Sequence, residues 1–505
     1  MPHPRERQTE WPSTTRRYPA PSRLEPFFIA LPMTRRPLAP WWSGLHHWRE
    51  RLTVPQFTVV TGLLVIAAGT LVLASPLCSS DSVGLWEALF TVTSAITVTG
   101  LSIIDVGSEL TPLGQVVLAG LILIGGLGLM AITTFLQGFV QGRSGLRQRL
   151  DKGRALDEFG VGGIGPTFNR IMISAGCVMG LGTLVLFGFG FTDIANPLER
   201  LWASLFHCIS AYNNAGFGLR SNNLVDYQSN PVVNGVIGSL IVSGGIGWRV
   251  TQDLWNQRVH WRQPRLWSRR HLSLHTRLVL RSTALLIVLG AVGLLVTEQF
   301  APDGVIQSLS LWQRLQVTLF QSITTRTAGF NTVPLSITTL SDAGLLLMIA
   351  LMFVGASPGG TGGGIKTTTF AVLMGATRST LENRTDVVIQ RRSIAPELVL
   401  RAVGVTLASA LFVLAMTLLL GLGPTAGGPP LVAQTTFLEK LFTCMSAFCT
   451  VGLDVGVTAT LGRWGQLVLM VGMFVGRIGI LLLLSALYGR RLPSRVGYPQ
   501  EEVFL

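Results

Sequence analysis

TTRTAGFN, residues 324–331, is the stretch that decides the fold, because three other parts of the chain repeat its central feature. That feature is a glycine that follows small or hydroxyl-bearing residues at the end of a short amphipathic segment. The other copies are ITVTGLS (96–102), YNNAGFG (212–218) and FCTVGLD (448–454). The anchor glycines lie 113 to 123 residues apart, each nine or ten positions after a phenylalanine: Gly100, Gly216, Gly329 and Gly452. This spacing indicates an internal fourfold repeat.

The composition predicts an all-α polytopic membrane protein. Of the 505 residues, 48% are hydrophobic and only 13% are charged, with a mean hydropathy of +0.49. These values exclude a disordered chain and are too apolar for an ordinary soluble protein of this size.

Each repeat has a long apolar segment before its anchor glycine and another after it. The preceding segments are about 57–77, 168–191, 278–297 and 399–420. The following ones are about 113–140, 232–248, 342–376 and 464–488, of which 232–248 is short. About 20 residues are needed to cross a ~30 Å hydrocarbon core, and most segments reach that length. The segments that end at the anchors, about 85–98, 199–213, 311–325 and 437–449, are shorter and more polar, which favours re-entrant half-helices.

The distribution of charge predicts the topology. Most of the 39 basic residues lie in the first 56 residues, in the connections between repeats and after residue 489. The stretches that flank the anchors carry few basic residues, Arg326 among them, and more acids. By the positive-inside rule, both termini and the connections are cytoplasmic and the anchors approach from outside. The net charge of +14 is therefore a topology signal, and no soluble domain exists to bind nucleic acid.

The repeats and connections divide the chain into nine parts. They are a basic cytosolic arm (1–56), repeat 1 (57–141), a linker (142–166), repeat 2 (167–257), a linker (258–274), repeat 3 (275–377, with an intramembrane loop at 355–369), a linker (378–395), repeat 4 (396–489) and a cytosolic tail (490–505). Within the arm, Met33 is an alternative translation start.

Enzymatic and metal chemistry find no support in the sequence. The five cysteines form no CxxC pattern, so neither a disulfide framework nor a structural metal is expected. GVGGIG (160–165) lacks the preceding strand of a dinucleotide site, and GGTGGGIKTTT (359–369) lacks the adjacent Gly and Lys of a nucleotide loop. His207 and Cys208 adjoin each other without a third catalytic group. We therefore expect no enzyme and no cofactor in this chain.

The four glycine loops have the chemistry of a cation filter. A half-helix that ends inside the membrane directs its C-terminal carbonyls, worth about half a negative charge, at the turn that follows. Backbone carbonyls of extended loops can replace an ion's water shell, and glycine allows the conformations that this requires. The alternative is that these are packing glycines in tight turns, which four copies in register disfavour.

Two features of repeats 3 and 4 are unusual for membrane-spanning segments. GASPGGTGGG (355–364) holds six glycines and a proline, which should unwind the helix, and unwound backbone at membrane depth must line a cavity or be buried in protein. Arg477 lies within the last apolar segment, where a cation needs water or a partner. Each feature also has an alternative without a transport role. The segment 355–364 would be a flexible kink without a gating role, Arg477 would stabilise the helix bundle, and Lys366 would only snorkel to the cytoplasmic surface.

The loops resemble degenerate copies of the potassium-channel TVGYG sequence. VTG (98–100), NAG (214–216), TAG (327–329) and TVG (450–452), with GGTGGGIKTTT and GRIGILLL (476–483), are similar to the Trk/Ktr/HKT potassium transporters, in particular the bacterial KtrB/TrkH membrane subunits. The resemblance covers about residues 57–490. It implies four membrane–pore–membrane repeats around one central pore, a homodimer in the plasma membrane, and a cytosolic nucleotide-binding RCK ring.

The resemblance also implies the site residues and the transported ion. The ion-binding filter would be Val98, Thr99, Gly100, Asn214, Ala215, Gly216, Thr327, Ala328, Gly329, Thr450, Val451 and Gly452. The gate would be Gly355, Ser357, Pro358, Gly359, Gly360, Thr361, Gly362, Gly363, Gly364, Lys366 and Arg477. The expected activity is potassium uptake, with dependence on sodium left open. A sodium-selective or poorly selective transporter is the alternative; sodium-selective relatives tend to carry serine where this chain has Gly100.

Overall fold

The structure, a computed structural model, describes residues 54–80, 83–126, 164–258, 272–300, 304–336, 338–384, 386–423, 435–480 and 483–484. The predicted cytosolic arm up to residue 53, most of the first two linkers and the C-terminal tail lie outside these residues. The described chain is mostly helical. In chain order the helices are α1 (Val54–Leu73), α2 (Leu85–Thr97), α3 (Pro112–Gly126), α4 (Ile164–Val185), α5 (Pro197–Tyr212), α6 (Pro231–Gly245), α7 (Trp248–Arg258), α8 (Leu274–Gln299), α9 (Leu311–Thr324), α10 (Asp342–Phe353), α11 (Thr367–Leu381), α12 (Pro396–Leu422), α13 (Phe437–Phe448) and α14 (Arg463–Ile478).

Four long apolar helices, α1, α4, α8 and α12, coincide with the segments predicted before each anchor glycine. Helix α4 is prolonged by a π-helical turn, Leu186–Gly190. By length and composition these four can cross a membrane, and the bent pair α6–α7 would be a fifth span. Their outer faces carry exposed leucines such as Leu64, Leu289 and Leu411. Apolar side chains on the outside of a long helix are typical of a surface that faces lipid rather than water.

The short helices α2, α5, α9 and α13 end where the sequence predicts, immediately before the glycine loops. Two of them begin with a complete capping box, Ser310 with Gln313 in α9 and Thr436 with Glu439 in α13. Asn196 caps α5 by accepting a hydrogen bond from the backbone of Leu198. These caps satisfy the free N–H groups at the polar start of each helix, while the other end is buried. We call the four short helices the pore helices.

The helices that follow the loops are interrupted. Helix α6 is bent by 96° against α7, and α10 ends at Phe353 before an unwound stretch. Within the predicted segment 464–488, α14 ends at Ile478, where Gly479 takes a φ of +88°. In repeat 1, α3 is described to Gly126, and the rest of the predicted segment lies outside the described residues.

A close approach to the pore helices explains the glycines at these interruptions. A Cβ atom added to Gly125, Gly244 or Gly476 would overlap the carbonyl oxygen of Ile96, Tyr212 or Phe448, respectively. Those carbonyls belong to the last turns of α2, α5 and α13. In repeats 1, 2 and 4 the following helix therefore touches the end of its own pore helix through a glycine, at a distance that any side chain would prevent.

A small hairpin corrects the prediction of an all-α protein. Strands β1 (Val387–Ile389) and β2 (Arg392–Ile394) pair in antiparallel fashion within the predicted linker 378–395. Gln390 and Arg391, which connect them, have φ values of 49° and 64°. Two consecutive residues with positive φ form the turn that suits the right-handed twist of a two-residue hairpin. Neither residue is a glycine, so the sequence gives little sign of this turn.

Two tryptophan–glutamine hydrogen bonds join neighbouring repeats near the start of the pore helices. Trp86 Nε1 donates to Gln466 Oε1 at 2.6 Å, and Trp202 Nε1 donates to Gln115 Oε1 at 2.8 Å. The first bond connects repeat 1 with repeat 4, which are the farthest apart in sequence. It therefore closes the circle of repeats.

We expect Trp86→Phe to lower the free energy of unfolding by about 1 kcal/mol, since a hydrogen bond of this kind contributes roughly 0.5–1.5 kcal/mol. Thermal unfolding of the purified protein in detergent measures the change. Trp312→Phe is the matched control, because Trp312 also lies near the start of a pore helix and is 68% exposed. An equal shift in both variants would contradict the proposed closing contact.

Candidate functional site

The four anchor glycines meet in a closed ring. A Cβ atom built on Gly100 would meet the backbone of Ala215 and Gly216, and one built on Gly216 would meet Ala328 and Gly329. The same test on Gly329 reaches Val451 and Gly452, and on Gly452 it reaches Thr99 and Gly100. The loops therefore follow each other in chain order around the ring and return to the first. Each glycine leaves free the space that the backbone of the next loop occupies.

The backbone of each loop alternates in handedness. The residues two positions before each glycine have positive φ values: 57° at Val98, 58° at Asn214, 79° at Thr327 and 51° at Thr450. The anchor glycines have φ values between +69° and +92°, whereas the residue between each pair has a negative φ. Such alternation turns successive peptide units the same way, so N–H groups line one side of the loop and carbonyls the other.

The N–H groups of the loops are bonded to the pore helices. In loop 1, the N–H groups of Val98 and Thr99 donate to the carbonyls of Ala95 and Ser94 at 3.1 and 2.8 Å, and Gly100 N–H donates to Ser94 Oγ at 3.0 Å. Loop 4 repeats the pattern, with Gly452 N–H donating to Ser446 Oγ at 3.0 Å. Because the N–H side faces the helix, the carbonyl side faces away from it.

An unwound segment, residues 354–366, lies against three of the loops. The Gly363 N–H donates to Thr450 Oγ1 at 3.0 Å, and the Asn214 side-chain amide lies 3.1 Å from Thr361 Oγ1. A Cβ atom on Gly362 would overlap Thr327 Oγ1. The predicted loop at 355–369 is thus shorter, because Thr367 already begins α11.

The segment has a hydrogen-bonded neck and a tip. At the neck, Gly355 N–H donates to Ile365 O at 2.9 Å and Ala356 N–H donates to Gly363 O at 3.2 Å. The tip, Ser357–Gly362, contacts the bend between α6 and α7: Thr361 N–H donates to Gly244 O at 3.1 Å and Trp248 N–H donates to Gly359 O at 3.3 Å. The segment is therefore unwound but well bonded.

Three cations donate to carbonyl oxygens of this segment. Arg477 donates to Thr361 O and also to Gly125 O and Gly126 O of repeat 1. Lys366 Nζ donates to Gly362 O at 2.9 Å, so it turns back onto the segment rather than away from it. Arg326 Nη2 donates to Gly355 O at 3.3 Å. Within the described parts of the chain, none of the three is paired with a carboxylate.

Arg326 was missed as a site residue by the sequence analysis, which counted it with the outer stretches. The structure buries it beside loop 3, with 8% of its surface exposed. Aligning the four loops by their anchor glycines shows that the residue at this position is unusual. Three positions before the anchor glycine, the other loops have Thr97, Asn213 and Cys449, so a cation there is an exception.

A cavity of about 360 Å³ lies beside the outer ends of loops 1 and 2. It is lined by polar and charged residues, including Asp105, Arg220 and Asp226. Arg220 donates to Asp226 Oδ2 at 2.9 Å and to Asp193. Burial would raise the pKa of Asp193, but hydrogen bonds from Tyr227 and Arg220 outweigh it and lower the pKa. This cluster fixes the chain that leaves loop 2.

Comparison with known proteins identifies the family. A profile of the TrkH family, described as a cation transport protein, matches residues 40–492. The chain belongs to the TrkH family of cation transport proteins. It is therefore a transporter and not an enzyme.

Individual relatives of the TrkH family agree with this assignment. The chain is 34% identical to the Ktr system potassium uptake protein B of Bacillus subtilis (strain 168), over 90% of this chain and 97% of that protein. It is 30% identical to the potassium/sodium uptake protein NtpJ of Enterococcus hirae, over 90% and 98%. The crystal structure of the potassium transporter TrkH from Vibrio parahaemolyticus has the same fold, with a TM-score of 0.64 and 20% identity over 87% of this chain and 86% of that one.

Proposed function

We propose that this protein takes up potassium across the plasma membrane through the ring of four loops. The observation that carries the proposal is the closed ring, in which four glycines touch and the N–H groups are bonded to the pore helices. The names of the potassium uptake relatives support the choice of ion. Both termini would be cytoplasmic, as the distribution of charge predicts.

The ring would select the ion by replacing its water shell with carbonyl oxygens. The filter residues are Val98–Gly100, Asn214–Gly216, Thr327–Gly329 and Thr450–Gly452. Their inward carbonyls supply the oxygens, and four pore helices add the negative ends of their dipoles. The cation would need no charged ligand, since the backbone alone provides its coordination.

A sodium-conducting or poorly selective transporter is the second candidate. The relative that is named a potassium/sodium uptake protein favours it. Glycine at all four anchors favours potassium, because sodium-selective members of the resembled family tend to carry serine at the first. Whether uptake is a sodium-dependent symport belongs to the same question.

The transported ion is tested by uptake in cells that lack their own potassium-uptake systems. We expect the gene to restore growth at low potassium, because the ring would admit this ion. Measurements with and without sodium, and with and without a cytosolic RCK subunit, test the proposed coupling and regulator. Uptake of sodium in preference to potassium would favour the second candidate. A chain that inserts into the membrane but moves neither ion would contradict the proposal.

Serine at an anchor position should weaken the selectivity of the ring for potassium. Gly100→Ser, Gly216→Ser, Gly329→Ser and Gly452→Ser each place a side chain on backbone of the next loop, at a φ that side chains rarely adopt. We expect each variant to raise the KM for potassium or to lower its preference over sodium. Gly404→Ser is the control, because nothing lies within 4 Å of a Cβ atom there. Unchanged kinetics in all four variants would show that these are packing glycines.

Segment 354–366 and Arg477 would form the gate of this pathway. The segment lies against three filter loops, and Arg477 joins its tip to α3 of repeat 1. Conduction would require the tip to move aside. The proposed homodimer and RCK ring would act on this gate from the cytosolic side.

Removal of the gate should raise the maximal uptake rate. Deletion of 358–364, or Arg477→Ala, removes the tip or its main bond to α3, so we expect a faster maximal rate with nearly unchanged KM. Arg463→Ala, at the other end of α14, is the matched control for Arg477→Ala. An unchanged rate in a well-inserted deletion variant would end the gate hypothesis.

A further inference from the structure

Arg326 is a buried cation with little compensation. Its Nη2 makes one hydrogen bond, to Gly355 O at 3.3 Å, which is long for a charged donor. Its Nε has no acceptor within hydrogen-bonding distance among the described residues. A buried charge with so few partners reduces stability, and replacing it by an apolar side chain of similar volume is often neutral or stabilising. Stability therefore does not explain an arginine here.

The equivalent residues of the other loops behave differently. Thr97 Oγ1 donates to Thr93 O at 2.7 Å, and Asn213 Nδ2 donates to Ile209 O at 2.8 Å. Cys449 Sγ lies 3.6 Å from Met445 Sδ. Each of these side chains folds back on its own pore helix, four residues earlier. Among these four side chains, only Arg326 donates a hydrogen bond to segment 354–366.

The contact falls on the neck of the segment. Gly355, whose carbonyl accepts a hydrogen bond from Arg326, lies where the two ends of the segment are joined by backbone hydrogen bonds. The neck is packed so closely that a Cβ atom on Gly355 would overlap Gly363 O. Arg477 and Lys366 bind the tip instead, at Thr361 O and Gly362 O. The neck and the tip are thus held by different cations from different elements.

We propose that Arg326 is a positioning residue for the gate, which fixes the neck to loop 3 while the tip moves. This inference rests on the proposed gate. Because Arg326 follows the pore helix α9 directly, the bond makes loop 3 the fixed point from which the tip swings. A neck released from this point would let the whole segment shift, and control of the flux would be lost.

The test is Arg326→Met, measured in the full-length protein and in the variant lacking 358–364. We expect the full-length variant to show a maximal uptake rate roughly 3- to 10-fold higher with unchanged KM, as for the loss of one charge-assisted hydrogen bond from a two-state gate. In the deletion background the substitution should change nothing, because the tip is already gone. Arg326→Lys, which keeps the charge, should lie between the arginine and methionine forms.

Thermal unfolding of the purified full-length proteins supplies a readout that does not depend on transport. Arg326→Met should leave the midpoint unchanged or raise it. A lowered midpoint with a lower rate in both backgrounds would show a structural role and overturn the proposal. A raised rate in both backgrounds would show that the charge acts directly on the ion, which also overturns it.

Arg314→Met is the matched control, because Arg314 lies in the pore helix α9, at the end far from Arg326, and donates to the backbone carbonyls of Leu309 and Gln307. We expect it to leave the rate unchanged in both backgrounds. If Arg326→Met matches wild type while the deletion raises the rate, the gate stands and the role of Arg326 fails. If the deletion also has no effect, the gate itself fails.

Discussion

Contact between backbones, without side chains between them, is the constraint on which this structure depends. Four loops approach so closely that each anchor glycine touches the next loop. The helices that follow the loops obey the same rule, since Gly125, Gly244 and Gly476 touch the carbonyl ends of pore helices. A Cβ atom at any of these places would push the elements apart and open the ring. Glycine is therefore needed because it allows the short distance between backbones as well as the unusual backbone conformation.

Polar backbone in an apolar surrounding must be satisfied, and this determines the rest of the centre. Most N–H groups of the loops donate to the pore helices, which leaves the loop carbonyls on the side away from those helices. Below the ring, three cations satisfy carbonyls of segment 354–366. Their positive charge lies where the negative ends of the pore-helix dipoles also point, so each offsets part of the other. In the proposed pathway, a cation that leaves the ring would then meet a field that depends on the position of this segment.

The sequence predicts the repeats, the four long helices and the ends of the pore helices because each depends on local periodicity and on glycines within one segment. It misses what depends on contacts between distant segments. Helix α14 ends at Ile478, close to the contact of Gly476 with Phe448, although apolar composition continues past it. The partner of Arg326 is Gly355, 29 residues away, and no spacing rule connects the two. The turn of the hairpin at 387–394 consists of two non-glycine residues with positive φ, a conformation that local propensity disfavours.

The ring and the layer below it differ in symmetry. At the ring, all four repeats present the same glycine and the same alternation of backbone. At the ends of the pore helices, the pairs Gly125–Gly126, Gly244–Gly245 and Gly476–Arg477 occupy equivalent places, because the first glycine of each touches a pore-helix carbonyl. Repeat 4 therefore carries an arginine where repeats 1 and 2 carry a glycine. Repeat 3 adds the unwound segment and Arg326. Equal ligands around an axis suit the recognition of a spherical ion, whereas a pathway that opens needs one side able to move. In the proposed transporter, selection would therefore be distributed over all four repeats, and control of the pathway would rest on repeats 3 and 4.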